Sequence, residues 1–570
     1  MQDSSQTSFL DFPTNDTSKN TAQDLPQNTQ NHYTKTIFRE KNLALMCDFY
    51  EFLMSNGYRK SSLKDTICYF DVFFRSVPDN GGFVIASGQD SIVDFINNLQ
   101  FSQQDLEFLR VQNLFSPDFL AYLSEFKFSG DIYGVREGEV VFANEPILTV
   151  RAKASEAQIL ETFILLALNH QSLIATKTNR IVRAAQTTPN AQNKHLQGAI
   201  KQRAILEFGS RRAQGIDAAL NGARAAYIGG VEATACTLAG KIYGIKVAGT
   251  MAHSWVQAYE SELEAFRQYC KMYPNNAILL IDTYDSLHSG IQNAIIALKE
   301  LLKSTKNSAK NYGVRIDSGD LCALSKEIRK RLDSAGLKEA KIVASGALDE
   351  IKIKQILQDG ACIDAFGVGE RLITAKSAPV LGCVYKLVAK EQDKNGQKEI
   401  IPTIKISEEA SKISLPHFKK LYRFFDAKSG KAAFDKLYLY DEDLDKSDEN
   451  LASKNLISKE LHIPYFKNGV CVYKKPTLSQ IRAYTKDEVG KLNENLKQIQ
   501  NPQCQPNNQN LTPNKDTKAT QDFETSKNQQ KLRNLQNPQN LQTSQTPIYE
   551  VRLSQKLRTL REQLLAKKSH

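Results

Sequence analysis

The sequence contains no uninterrupted apolar run approaching the roughly 20 residues that a membrane-crossing helix requires, so none of its 570 residues is expected to span a bilayer. Its opening stretch, MQDSSQTSFLDFPTNDTSKN, lacks both a basic region and an apolar core, which excludes a secretory-signal pattern. No CxxC pair occurs among the nine scattered cysteines. A disulfide frame and a zinc site are therefore not expected, and free thiols in a reducing cytoplasm fit instead. No aromatic-basic RNA motif appears either. The net charge of +11 is spread along the chain, which points to small anionic partners and away from nucleic acid.

A chain this long buries a large core and is expected to hold two or three folded units. Residues 1–36 are rich in Asn, Gln, Thr, Ser and Asp and are expected to be disordered, as is the Asn/Gln-rich tract 495–547. LALMCDFYEFLMSNGY (43–58) has helical apolar spacing and ends at Gly57, a C-cap signal. TICYFDVFFRS and GGFVIASG read as strands around a turn, SIVDFINNLQ as a helix, and two strand-like pieces follow between Gly130 and Ala152. Residues 37–155 are thus assigned to an α+β domain. The stretch from Glu156 to about 185 reads as a long apolar helical region.

A cadence then begins. AILEFG (204–209) leads into SRRAQG, IKVAG (245–249) into TMAHS, and AILLI (277–281) into DTYDS. YGVRI (312–316) leads into DSGD, KIVA (341–344) into SGALDE, and IDAFG (363–367) into VGERL. Short β-type runs separated by helical stretches indicate βα units around a parallel sheet. In such folds, and most clearly in (β/α) barrels, active sites gather at the carboxyl ends of the strands. Every unit here places its unusual polar residues at that end.

Each loop admits a chemical and a plain structural reading. His253, past the run Ile245–Ala248, either reaches a ligand and titrates near neutral pH or is hydrogen-bonded into a turn. Ser345-Gly346 and Gly367-Val368-Gly369 either offer backbone amides to phosphate or form tight turns. Arg315 and Asp317, two apart at a strand end, share a face; they bind an anionic substrate or form a salt bridge. Asp282 and Asp285 hold Mg²⁺ or ribose hydroxyls, orient a histidine, or cap a helix. Phe208 with Arg211 and Arg212 suits a flat anionic ring, unless the arginines are ordinary surface charge.

Taken together, EFGSRRAQG, GTMAHSW, IDTYDS, VRIDSGD, FGVGERLITA and LMCDFYEFLMSNGY resemble nicotinate phosphoribosyltransferases. The resemblance runs over about 40–485 and returns near 548–566 in YEVRLSQKLRTLREQLL. It implies an α/β fold: an irregular (β/α) barrel at 156–385, an N-terminal α+β domain completed by C-terminal segments, a C-terminal α+β extension at 386–494, and a closing helix at 548–570. It also implies synthesis of nicotinate mononucleotide from nicotinate and 5-phosphoribosyl 1-diphosphate, with Mg²⁺, with ATP as co-substrate, and in a homodimer with shared active sites. By the same resemblance His253 is transiently phosphorylated and Asp282 supports it, while Asp317 lies near the ribose. Tyr50, Thr250 and Arg315 contact nicotinate, with Phe208 stacking on the ring and Arg211 facing the anion. Ser345, Gly346, Gly369 and Glu370 occupy the phosphate-loop positions, Glu370 standing where many relatives have Thr. The competing readings are a nicotinamide phosphoribosyltransferase and a non-catalytic barrel. The cations Arg211, Arg212 and Arg315 favour an acid substrate over an amide.

Overall fold

The computed structural model describes residues 43–188, 203–394, 396–407, 409, 412–444, 455–499 and 549–568. The low-complexity stretches at 1–36 and, but for its first five residues, 495–547 lie outside the described residues.

Five of the six runs in the βα cadence, with Ala233–Thr234, which the sequence reading did not include, build one six-stranded parallel sheet. Its strands are Ala204–Glu207 (β1), Ala233–Thr234 (β2), Ala277–Leu280 (β3), Tyr312–Ile316 (β4), Lys341–Ala344 (β5) and Ala365–Val368 (β6), in the spatial order β2-β1-β6-β5-β4-β3. Alternation along the strands separates two layers. Ala204, Leu206, Ala233, Ile278, Val343 and Ala365 form a small cluster with Phe208 and Ala248. Their sequence neighbours Ile205, Leu279, Ile342, Ala344 and Phe366 join the main core. The sheet curls around an inner layer dominated by alanine and is backed by helices, including Glu161–Ala184, Ile216–Gly229, Ile291–Ser304 and Leu321–Ser334.

The run Ile245–Ala248 departs from expectation. It contributes one bridge, Thr234 to Val247, and Val247 is half exposed, so this is not a buried strand. The short apolar run reflects Ile245, which is buried, and a crossover that lies over the rim. The adjoining seam is spanned by the Asn276 side-chain amide, which donates to the Gly249 carbonyl at 3.4 Å. His253 is not on a free loop either: it opens the short helix His253–Gln257. Gly57 does not end the first helix, which runs Phe49–Arg59 and closes on Lys60.

A second, seven-stranded antiparallel sheet draws on both ends of the chain. Ile67–Phe73 lies between Val384–Lys394 and Leu148–Lys153; beyond the latter come Asp131–Val135 and His462–Lys467. Where two strand-like pieces were expected between Gly130 and Ala152 there are three strands, Asp131–Val135, Val140–Val141, which pairs with Val84–Ile85, and Leu148–Lys153. A four-stranded sheet made of Leu456–Glu460, Lys419–Asp426, Ala432–Leu439 and Val551–Leu553 completes the fold. No helix among the described residues is long and apolar enough to cross a membrane.

Arg423 stitches these units together. It is 1% exposed, grips Asp435 through Nε (2.9 Å) and Nη2 (2.7 Å), and reaches Glu139 (2.8 Å) and the Val140 carbonyl (2.7 Å). Removing one member of a buried ionic cluster leaves the others uncompensated, at a cost of about 3 kcal/mol. Arg423→Ala is therefore expected to lower the urea midpoint by that equivalent while sparing the carboxyl-end loops of the parallel sheet.

Candidate active site

The loops at the carboxyl ends of the six parallel strands converge, and most of the polar residues singled out in the sequence meet there. Arg315, at the end of β4, is nearly buried. Its Nη1 donates to the Thr250 hydroxyl and to the Met251 carbonyl (3.1 Å), which ties together two loops 65 residues apart. Its Nη2 lies 3.7 Å from Asp317, and its Nε is buried with no partner. Burial lowers the guanidinium's pKa, opposed by the nearby Asp317 and Asp282 carboxylates. A buried cation with an unspent donor is suited to receive a carboxylate.

Asp282 and Asp317 are joined through the backbone: the Asp317 amide donates to Asp282 Oδ2 at 3.0 Å, and the Ser318 hydroxyl donates to the same oxygen at 2.7 Å. Asp282 Oδ1 is buried and unpartnered. Asp285 has a different role. Its carboxylate accepts the Leu287 and His288 amides and caps the following turn, so the capping alternative holds for Asp285. His253 Nδ1 lies 3.2 Å from the Thr283 hydroxyl, and Nε2 has no partner among the described residues. Sequence reasoning passed over Thr283, although it stands directly after Asp282 in DTYDS.

Phe208 sits half-buried at the tip of β1, over Gly367 of β6. A Cβ at Gly367 would lie 2.5 Å from a Phe208 ring carbon, so glycine at that position makes room for the aromatic face. Arg211 and Arg212 follow on an exposed turn, and Arg211 is close enough to Arg315 to lower its pKa further. Glu207, fully buried behind Phe208, accepts from the Thr234 hydroxyl (2.6 Å) and the Gly209 amide, and burial raises its pKa. It fixes the EFG turn and was not singled out in the sequence, where it reads as an ordinary strand-end acid.

The two glycine loops lie side by side. Ser345 donates its hydroxyl to Asp317. Gly346 has φ +92°, and a Cβ there would lie 1.9 Å from the Asp317 carbonyl oxygen. The helix beyond starts only at Glu350 and is capped by Asp349, so the Ser345-Gly346 amides stand apart from its N-terminus. Gly369 precedes the short helix Glu370–Ile373, and the Glu370 carboxylate pairs with Lys376 at 2.7 Å.

Tyr50 stands elsewhere, on the helix Phe49–Arg59. Burial, with Glu161 and Glu51 beside it, raises its phenol pKa, and it is 44% exposed. Met46, Phe49, Leu53 and Met54 share its exposed face. Among the described residues no group of three or more His, Cys, Asp and Glu side chains forms a ready metal cage.

Residues 45–169, 204–418 and 418–506 match, in order, the family models for the nicotinate phosphoribosyltransferase N-terminal domain, the nicotinate phosphoribosyltransferase family, and its C-terminal domain. The Bacillus subtilis nicotinate phosphoribosyltransferase is 39% identical over 480 residues, covering 82% of this chain and 93% of that protein. The Caenorhabditis elegans nicotinate phosphoribosyltransferase is 32% identical over 519 residues, covering 78% and 87%. The crystal structure of human nicotinic acid phosphoribosyltransferase superposes with a TM-score of 0.67 over 91% of this chain and 99% of that one, at 23% identity, a likeness of fold.

Proposed function

This chain belongs to the nicotinate phosphoribosyltransferase family, and from that premise we propose how its strand-tip residues carry out the reaction. The enzyme joins nicotinate to the ribosyl group of 5-phosphoribosyl 1-diphosphate in NAD salvage. The observation that carries the mechanism is Arg315, a nearly buried cation with an unpartnered Nε, tied to Thr250 and set beside Asp317.

Nicotinate lies with its ring on Phe208 and its carboxylate toward Arg315 and Arg211. Its unprotonated ring nitrogen attacks the anomeric carbon; the C–N bond forms as the C–O bond to pyrophosphate breaks, and no proton changes hands. Positive charge developing on the sugar is stabilised by the Asp317 carboxylate. The 5-phosphate is received by backbone amides at Gly346 and Gly369. Mg²⁺ of this kind needs one or two carboxylates plus substrate phosphates, and Asp282, with its buried unpartnered oxygen, and Asp317 fit that donor set. Bound there, it would neutralise charge on the leaving pyrophosphate.

ATP enters through His253. With Nδ1 directed at Thr283, the free Nε2 attacks the γ-phosphorus: a P–N bond forms, the P–O bond to ADP breaks, and the phosphohistidine tightens the loops around substrate. The enzyme works as a homodimer, and Tyr50 completes the partner's site. The exposed apolar face carrying Met46, Phe49, Tyr50, Leu53 and Met54 supports this.

Incubation with γ-labelled ATP is expected to leave an acid-labile label on the wild type and none on His253→Ala. That variant should retain ATP-independent turnover, with its stimulation by ATP abolished. Equal labelling of the two proteins would remove His253 from the scheme.

A further inference from the structure

The amino-terminal end of the parallel sheet, opposite the loops described above, also holds a cavity. Its volume is about 650 Å³, and it lies where the chain enters β1 and β2, beside the helices Glu161–Ala184, Glu350–Gln358 and Leu478–Lys491. Six cations line it: Arg183, Arg203, Lys354, Arg482, Lys486 and Lys497. Two carboxylates, Glu232 and Glu494, line it with them, and each is already spent. Glu232 pairs with Arg482 at 2.7 Å and Glu494 with Lys497 at 2.5 Å.

The other four cations have no ion pair among the described residues. Arg203 donates only to main-chain carbonyls, Nε to Ile363 (3.0 Å) and Nη1 to Ala185 (3.1 Å) and Thr187 (3.3 Å), which leaves Nη2 unspent. Arg183 donates from Nε to the Asn179 side chain (3.0 Å) and from Nη1 to the Lys497 carbonyl, again leaving Nη2. Lys354 reaches one carbonyl, Ile499, at 3.3 Å, and Lys486 is exposed with no acceptor. A guanidinium carries five donors and an ammonium three, so these four side chains keep N–H donors unused among the described residues. Burial and the neighbouring Arg180 push the Arg183 guanidinium down to about 10, and burial lowers Arg203 as well. Glu350 and Glu494 oppose the shift at Arg183 and Asp364 opposes it at Arg203, yet burial outweighs them and none of these carboxylates forms an ion pair with either guanidinium among the described residues.

The neighbouring stretches of sequence are themselves net basic. PNAQNKHLQGAIKQ (189–202) has two lysines and no acid, and 500–548 has five basic residues against three acidic ones. We propose that this cavity binds a compact anion with two or more phosphoryl groups, of inorganic polyphosphate or nucleotide type. Paired arginine forks and lysine point charges around one cavity fit phosphoryl oxygens. The site is separate from the carboxyl-end loops, so it serves regulation or stability and takes no part in turnover.

Equilibrium dialysis of the full chain with inorganic tripolyphosphate at near-physiological salt tests this. Wild type is expected to bind one more anion per chain than Lys354→Glu/Lys486→Glu, or to hold it about tenfold or more tightly, with saturated turnover equal in the two. Displacement by ATP would assign the nucleotide form, and no displacement the inorganic one. Identical stoichiometry and affinity in the two proteins would overturn the proposal. Should the double variant fail to fold, Lys486→Glu alone, on an exposed rim position, is expected to weaken the same site, and no weakening would overturn the proposal equally.

Discussion

Replacing Arg315 with alanine is expected to lower kcat/KM for nicotinate about a thousandfold, near 4 kcal/mol of lost stabilisation. Two losses combine. The substrate carboxylate loses its buried cation, and the Thr250 and Met251 oxygens lose the donor that ties their loop to β4. Arg315→Lys keeps the charge and loses the fork, so it should recover only part of the rate. The variant also reports on substrate choice. A neutral amide needs no cation there, so Arg315→Ala should lower nicotinamide turnover far less than nicotinate turnover. Steady-state kinetics with both compounds read this directly. An equal fall for acid and amide would mean that Arg315 acts through loop architecture alone.

The second large effect belongs to Gly346. Its φ of +92° disfavours any L side chain, and an added Cβ would press within 1.9 Å of the Asp317 carbonyl oxygen. An ordinary contact needs roughly 3.4 Å or more. Backbone meets backbone here, so the Asp317 loop must shift by more than an ångström. Such a displacement of a charge-stabilising carboxylate costs on the order of a hundredfold in rate. Gly346→Ala is expected to lower kcat by that factor or more, with the denaturation midpoint falling by much less than the rate, because the loop lies at the rim of the core. Ser345→Ala, which removes only the hydroxyl held by Asp317, should cost about tenfold. A Gly346→Ala enzyme with full activity would mean that the loop adapts freely and that Asp317 needs no fixed place.

Five of the six parallel strands were legible because each is a short, mostly apolar run that breaks off at a polar loop; Ala233–Thr234, only two residues long, was passed over. Placing active residues at the carboxyl ends then required only strand direction. Ile245–Ala248 was misread because three apolar residues in a run of four do not distinguish a sheet strand from a crossover with one buried side chain. Asp282 and Asp285 look alike in DTYDS, and only the geometry divides them into a site carboxylate and a cap. Links across long separations were not legible at all. Thr250 to Arg315, Thr283 to His253 and Ser345 to Asp317 join different βα units, and nothing local in the chain announces them. The cavity at the opposite end escaped for the same reason: its cations come from segments more than 300 residues apart and form no motif.

The seven-stranded sheet has a consequence for synthesis on the ribosome. Its first three strands, Ile67–Phe73, Asp131–Val135 and Leu148–Lys153, emerge early and pair with one another. The strands that cover their two outer edges, Val384–Lys394 and His462–Lys467, come only after the whole parallel sheet has been made. At ordinary elongation rates the interval is on the order of tens of seconds. Throughout it the nascent chain presents two unpaired strand edges, the feature most prone to join a neighbouring chain. The window of greatest aggregation risk is therefore built into the order of the chain, and it closes with the arrival of its last quarter.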